Sequence, residues 1–214
     1  MFTIDLPLQQ RGLAFAITFR DRFLPAIEDP PIRVPLEVEA LGQRAFAASD
    51  GTYRISVVGA PPVLPVGTFP VTVRSPGGEY RAFDPIEVTL PLAASVPPQR
   101  SDYLLFESLW PTRLFPIPRG ETAVIGVITQ QGIPQPGLSV RLHESVAPLP
   151  DTPEARTDAA GEFVYRFPFA PGAASPDPLS LNVTVLDGIT AVPVTPAAVQ
   201  LETGLVHTLS FLRP

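Results

Sequence analysis

Apolar and polar residues alternate along much of this chain with the period of two that is typical of β-strands. The apolar residues at every second position from Leu13 to Phe19 fall on one face of such a run, and residues 33–41 alternate in the same way. Asp50-Gly51 lies between two further short runs, and this dipeptide is a strong hairpin signal. The pattern predicts many short strands joined by tight turns.

The two halves of the chain repeat one order of turns and strands. Residues 50–58 correspond to residues 160–167, and in both halves a Pro- and Gly-containing stretch leads into a Val-Thr-Val strand. Residues 93–101 are small, polar and proline-bearing, which is typical of a linker. The sequence predicts an all-β chain of two tandem β-sandwich domains: a first domain at 1–95, a proline- and aromatic-rich linker or interface segment at 96–120, and a second domain at 121–214.

Composition supports this fold class and excludes several functions. The 29 prolines among 214 residues are incompatible with long helices, because an interior proline removes a backbone donor and clashes with the preceding turn. The net charge of −6 without a basic run argues against nucleic acid as a partner. The absence of cysteine excludes disulfides and zinc-thiolate sites, and no apolar stretch reaches the roughly 20 residues of a membrane helix.

A series of short motifs follows in a fixed order along the second half: Gly126-Val127, Pro134 to Gly137, Val140, Thr157-Asp158, Gly161 to Phe163 and Pro171-Gly172. With these motifs, residues 121–190 resemble the carboxypeptidase-regulatory-like family, whose fold is a transthyretin-like and immunoglobulin-like β-sandwich. A weaker repeat of the pattern covers residues 10–92. The resemblance implies tandem immunoglobulin-like or transthyretin-like sandwiches that act as structural accessories, stalks or docking units, and it brings no catalytic residues.

The residues that could carry chemistry are scattered. His143 and His207 lie in separate strand-like runs without the spacing of a metal site, and the chain has no Gly-x-Ser-x-Gly nucleophile elbow. Asp50, Asp158 and Asp187 lie at turns, where a carboxylate bonds nearby backbone amides, and they lack the dense spacing of a calcium loop. The sequence therefore predicts no enzyme activity, no metal and no cofactor.

The aromatic-rich segment at residues 102–120 is the candidate partner-binding region. It contains more large apolar side chains than an exposed linker would carry, including the only tryptophan. One interpretation packs them between the domains and against the second sandwich, and the other leaves part of them exposed as an anchor for a partner. The candidate partner-binding residues are Tyr103, Phe106, Leu109, Trp110, Leu114 and Phe115.

Two functional hypotheses follow. The N-terminus shows no signal peptide, which together with the fold predicts cytoplasmic synthesis and release as part of a particle. The first hypothesis is a non-enzymatic structural or protein-docking subunit of a larger bacterial assembly, a phage-tail-like or contractile injection particle, as its cap, baseplate or decoration component. Its partners would be other protein subunits, with a homo-oligomer left open. The alternative is a carbohydrate- or surface-binding module, which requires a concave site with clustered aromatics, whereas assembly requires an apolar patch or an open sheet edge.

Overall fold

The structure is a computed structural model, and it describes residues 10–23, 31–32, 34–59, 63–92, 100–144, 152–167 and 178–214. These residues form eighteen β-strands and one short 3-10 helix, Arg100–Tyr103, and no α-helix occurs among them. The prediction of an all-β chain is confirmed. No helix in the described ranges has the length and apolar character needed to cross a membrane.

The strands of the first half are short, except for the first. They are β1 (Gln10–Asp21), β2 (Glu37–Ala40), β3 (Gln43–Arg44), β4 (Phe46–Ala47), β5 (Thr52–Gly59), β6 (Gly67–Arg74), β7 (Tyr80–Arg81), β8 (Ile86–Leu90) and β9 (Leu104–Pro111). The strands of the second half are β10 (Thr122–Gln130), β11 (Ile133–Pro134), β12 (Ser139–His143), β13 (Ala155–Arg156), β14 (Glu162–Phe167), β15 (Leu179–Asp187), β16 (Thr190–Val192), β17 (Ala198–Leu201) and β18 (Val206–Arg213).

The chain divides into two compact units, and each unit is built from separate stretches of sequence. The first unit comprises Met1–Arg20, Pro30–Pro76 and Asp84–Ser108, and the second comprises Asp21–Asp29, Gly77–Phe83 and Leu109–Pro214. The division falls within β1 and within β9. The predicted ranges 1–95, 96–120 and 121–214 differ from these units, and the division of the chain into two tandem domains with a linker stays a prediction.

The first unit contains two sheets, with the strand orders β4-β5-β1-β9 and β3-β2-β6-β8. The strand β1 lies between β5 and β9, and its residues from Ala14 to Phe19 are buried on both faces of the sheet. The rings of Phe19 and Tyr53 pack edge to face at 5.7 Å, and the N–H of Leu36 donates to the Tyr53 hydroxyl at 3.1 Å. The predicted hairpin at Asp50-Gly51 is confirmed, because it joins β4 to β5.

The second unit also contains two sheets, which bury one core between them. One sheet has the order β11-β10-β14 with β18 paired to β10, and the other has the order β13-β12-β15-β16 with β17 paired to β15. The pair β10–β18 is parallel, from Ala123 beside Val206 to Gln130 beside Arg213. Short turns join antiparallel neighbours, whereas a parallel pair needs a long connection, so the local turn pattern did not predict this pairing.

The core of the second unit includes a residue from the first tenth or so of the chain. Phe23 follows the end of β1, is 2% exposed, and packs edge to face against Tyr165 with the ring centroids 5.0 Å apart. Fully burying a phenylalanine contributes about 1.5–3 kcal/mol. The second unit therefore depends on a stretch of chain far outside residues 121–214.

Candidate functional site

An open groove of about 850 Å³ lies in the first unit, where β2 turns into β3 and where β5 ends. The lining residues are Glu39, Ala40, Leu41, Gly42, Gln43, Val57, Val58, Val63, Pro65, Phe69, Pro70 and Thr72. Most of these side chains are apolar, and Glu39 is the one ionisable side chain among the described residues of the lining. Such a surface suits an apolar ligand or polypeptide rather than a charged one.

One wall of the groove is a strand edge. Strand β4 pairs with β5 only at Tyr53 and Arg54, and beyond that point the Gln43 side-chain amide donates to the Ser56 carbonyl. Backbone groups of alternate residues point to the same side of a strand, so the N–H and C=O of Val58 face the same way as the Ser56 carbonyl. Within the described chain, no strand pairs with β5 on that side after Arg54. We call this stretch, which is unpaired as far as the described residues go, the open edge of β5.

The apolar side chains at this edge face solvent. Val58 is 53% exposed and Val63 is 78% exposed, and both line the groove. Val66, close to Val63 in sequence, is 81% exposed. A sheet edge that carries exposed apolar residues is a template for pairing with another polypeptide. The groove therefore has the features of a protein-docking site.

A buried ionic cluster lies in the second unit, and we call it the Arg166 cluster. The Arg166 guanidinium donates to both carboxylate oxygens of Glu121, from Nε at 2.7 Å and from Nη2 at 2.9 Å, and its Nη1 donates to Asp21. The Tyr80 hydroxyl donates to Asp21 at 2.8 Å, and the ring centroid of Phe115 lies 4.3 Å from the guanidinium carbon. The side chains of Arg166, Asp21 and Glu121 are at most 10% exposed.

The electrostatics of the cluster keep Tyr80 neutral and Arg166 charged. Burial raises the pKa of Tyr80, and the charge of Asp21 raises it further. Burial alone would lower the pKa of Arg166, but the hydrogen bonds that it donates to Glu121 and the charges of Asp21 and Glu121 outweigh that effect and raise the pKa. A tyrosine held neutral and an arginine held charged are poorly suited to exchange protons near pH 7. The cluster thus links Asp21 at the end of β1, Tyr80 of β7 and Arg166 of β14 to Glu121, which directly precedes β10.

The six candidate partner-binding residues are divided between the two units. Tyr103 and Phe106 belong to the first unit. Tyr103 is half-buried at the end of the 3-10 helix, and Phe106 on β9 is 51% exposed with the Arg20 guanidinium 4.1 Å from its ring centroid.

The other four belong to the second unit, where most of them are packed. Leu109 is 1% exposed, and the half-buried Trp110 packs edge to face on Phe83 at 5.4 Å. Phe115 packs in the Arg166 cluster, whereas Leu114 is 62% exposed. Leu109, Trp110 and Phe115 are thus packed within the second unit, whereas Phe106 and Leu114 present large exposed surfaces. A role of the six residues in binding a partner stays a prediction.

The histidines and turn aspartates have local partners. Nε2 of the buried His143 lies 2.8 Å from the Thr184 hydroxyl, and Nε2 of His207 donates to the Glu202 carbonyl at 3.0 Å. Asp158 accepts hydrogen bonds from backbone amides of its own turn at 2.8 and 2.9 Å, as the turn interpretation predicts. Across the described ranges, no three His, Cys, Asp or Glu side chains are grouped as metal ligands would be.

Sequence reasoning missed both the groove and the Arg166 cluster. The open edge at Val58 depends on where β4 stops pairing, and no local pattern encodes that point. Arg166 lies within an otherwise apolar run of β14, which was a signal that its charge needs a buried partner. Its partners Asp21 and Glu121 are 145 and 45 positions away in sequence.

Comparisons with known proteins give weak structural likeness only. No protein family model matches the chain, and no curated protein sequence matches it. A point mutant of the shaft pilin SpaA of Lactobacillus rhamnosus GG is similar with a TM-score of 0.31 and 10% identity, over 96% of this chain and 98% of that one. The minor pilin of Streptococcus agalactiae has a TM-score of 0.26 and 13% identity, over 94% of this chain and 96% of that one. A streptococcal ancillary pilin has a TM-score of 0.26 and 13% identity, over 99% of this chain and 64% of that one.

These matches correct the functional hypotheses. They are shaft, minor and ancillary pilins, so the prediction of a phage-tail-like or contractile injection particle is wrong. They lend no support to the carbohydrate- or surface-binding alternative either. Because the TM-scores are 0.31 or lower, no property of the pilins is transferred to this chain. The resemblance to the carboxypeptidase-regulatory-like family stays a prediction.

Proposed function

We propose that this chain is a non-enzymatic structural protein that assembles with other protein subunits. The observation that carries the proposal is the groove of the first unit, where the open edge of β5 lies beside exposed valines. An added strand would supply hydrogen-bond partners for the backbone of Val58 and would cover the apolar side chains. Both changes favour binding of a polypeptide at this place.

The proposed architecture is two tandem immunoglobulin-like or transthyretin-like β-sandwich domains. In support, each unit contains two sheets, and in the second unit one core cluster draws on both of them. The motifs from Gly126 to Gly172 add the family resemblance of the second half. Sandwiches of this kind present strand edges and end loops on a rigid scaffold, which suits a building unit.

The non-enzymatic character of the proposal is supported by how the ionisable groups are used. Arg166, Asp21, Glu121 and Tyr80 are buried and bonded to one another, so their charges stabilise the packing of the second unit. The groove, in turn, offers mainly apolar side chains and backbone. Neither place brings together an acid, a base and a nucleophile around a space for a substrate.

The test is affinity purification of the tagged chain from its native host, followed by mass spectrometry of the co-purifying proteins. We expect partner subunits with the unaltered chain and their loss with Val58→Asp, because a buried unpaired carboxylate opposes docking. Val206→Asp is the matched control, since Val206 is a strand valine of similar exposure, 49% against 53%. Recovery of the chain alone, or equal losses with both variants, would contradict the proposal.

A further inference from the structure

Strands β10 and β18 of the second unit form a long parallel ladder. Its eight residue pairs run in unbroken register from Ala123 beside Val206 to Gln130 beside Arg213. Because the two strands run in the same direction, the point where the chain enters β10 and the point where it leaves β18 lie at opposite ends of the ladder. A pull on these two points slides one strand along the other and loads all the pairs together.

Side chains on the inner face of β18 oppose such sliding. Phe211 is fully buried, and the centroid of its ring lies 5.9 Å from that of Phe163 on β14. The ring of Phe163 in turn covers Gly126 of β10, where an added Cβ would clash with it. A slip of one residue would turn the buried face of β18 outward, because the side chains of a strand alternate between its faces. The ladder therefore has to slip by two residues, about 7 Å, and Phe211 has to leave the core.

The entry to β10 is held from its other side. Strand β14 pairs with β10 from Thr122 to Val127, and Arg166 of β14 lies beside Ala123. The Arg166 guanidinium donates to both carboxylate oxygens of Glu121, the residue directly before β10. The side chains of this bidentate pair are 5% and 10% exposed. A pull on the residues before Glu121 is thus passed to the sheet rather than peeling β10 away from β14.

We infer that β10 and β18 form a mechanical clamp, through which the second unit bears tension applied between the residues before β10 and the end of β18. A structural subunit has to transmit load between the proteins that it joins, and the ladder is arranged to carry this load in shear. The clamp depends neither on the groove of the first unit nor on any partner. It therefore goes beyond the proposed function and can fail without it.

The direction of pulling decides how the ladder breaks. If both strands are pulled at the same end, the pairs open one after another, and each opened pair releases about 7 Å of chain. In shear, the same eight pairs break within a single slip of about 7 Å. The same free energy is then spent over a distance about eight times shorter. The force at rupture should therefore be several times larger in shear.

The test is single-molecule force spectroscopy on the full chain, with DNA handles attached to two azide-bearing residues. For shear, these residues replace Arg119 and Pro214, which are exposed and flank the ladder at opposite ends. For opening from one end, they replace Gln131 and Pro214, which follow β10 and β18 at the same end of the ladder. At equal loading rate, we expect a rupture force at least about threefold higher in the shear geometry.

Two core variants locate the contact that breaks. Phe211→Leu trims a buried side chain on β18, and Val140→Ala trims a buried side chain on β12, in the other sheet of the same unit. Urea unfolding followed by the fluorescence of Trp110 gives the free energy of unfolding that each variant loses. For an equal loss, we expect Phe211→Leu to lower the rupture force in shear more than Val140→Ala, because of these two residues only Phe211 belongs to the ladder.

Two results would overturn the inference. The first is a rupture force that is the same in the two pulling geometries, because shear of the ladder would then not limit the strength of the unit. The second is a rupture force in shear that Val140→Ala lowers as much as Phe211→Leu does for an equal loss of free energy, because the break would then lie outside the ladder. Neither result bears on the docking of partners at the groove, which Val58→Asp tests separately.

Discussion

Replacement of Arg166 by methionine tests the structural role of the Arg166 cluster. The change keeps much of the side-chain volume but removes the cation that lies between Asp21 and Glu121, whose side chains are 2% and 10% exposed. Two carboxylates would then be buried without a positive partner. Removal of one member of a buried ion pair costs about 3–5 kcal/mol, so we expect a loss in this range from the free energy of unfolding of the second unit.

The assay is urea unfolding followed by the fluorescence of the single tryptophan, Trp110. This residue belongs to the second unit, so its signal reports on the unit that contains the cluster. Arg113→Met is the matched control, because Arg113 also pairs with a carboxylate, Glu162, at 2.7 Å but is 62% exposed. An exposed pair contributes about 0–1 kcal/mol. The two variants thus compare the same substitution in a buried and in an exposed ion pair.

A double variant separates the cost of the orphaned carboxylates from the loss of packing. Adding Asp21→Asn to Arg166→Met removes one of the two unpaired charges, so the double variant should lose less stability than the sum of the two single losses. Loss of packing alone would give nearly additive effects. If Arg166→Met loses no more stability than Arg113→Met, the reasoning from buried charge is refuted.

The other predictions concern backbone strain, alkaline pH and the division of the chain. Gly161→Ala should lose more free energy of unfolding in urea than Gly132→Ala. Both glycines have φ near +70 to +80°, a conformation that costs alanine about 1–2 kcal/mol. Of the two sites, only Gly161 would also place the new Cβ 2.5 Å from a backbone oxygen, that of Ile128. Equal losses would contradict this. Burial raises the pKa of Tyr165 from 10.0 to about 12. The neutral Tyr165 therefore contributes to the free energy of unfolding below pH 10, and this contribution falls by up to about 3 kcal/mol as the pH rises through 12. Tyr165→Phe should flatten that part of a curve of stability against pH, and an unchanged slope would contradict the prediction. A fragment of residues 102–214 should melt at a lower temperature than the full chain or fail to fold, because it lacks the stretches 21–29 and 77–83 of the second unit. Equal melting temperatures of the second unit in the fragment and in the full chain would refute this prediction.

The sequence by itself determined the strand content and the tight turns. The alternation from Leu13 to Phe19 predicted β1, and Asp50-Gly51 predicted the hairpin of β4 and β5. Both signals are local, because the period of a strand and the conformation of a turn depend on residues a few positions apart. The prolines excluded long helices for the same kind of reason.

Only the tertiary structure decided which strands are neighbours and which apolar residues are buried. The segment of residues 102–120 is rich in large apolar side chains throughout, yet Leu109 is buried and Leu114 is exposed. Phe23 enters the core of the second unit, and Arg166 meets Asp21 across 145 positions of sequence. Such contacts depend on the order and the ends of the sheets, which are fixed by packing over the whole unit rather than by the period of any one strand. The open edge at Val58 belongs to the same class of feature, because an edge exists only relative to the strands that pair beside it.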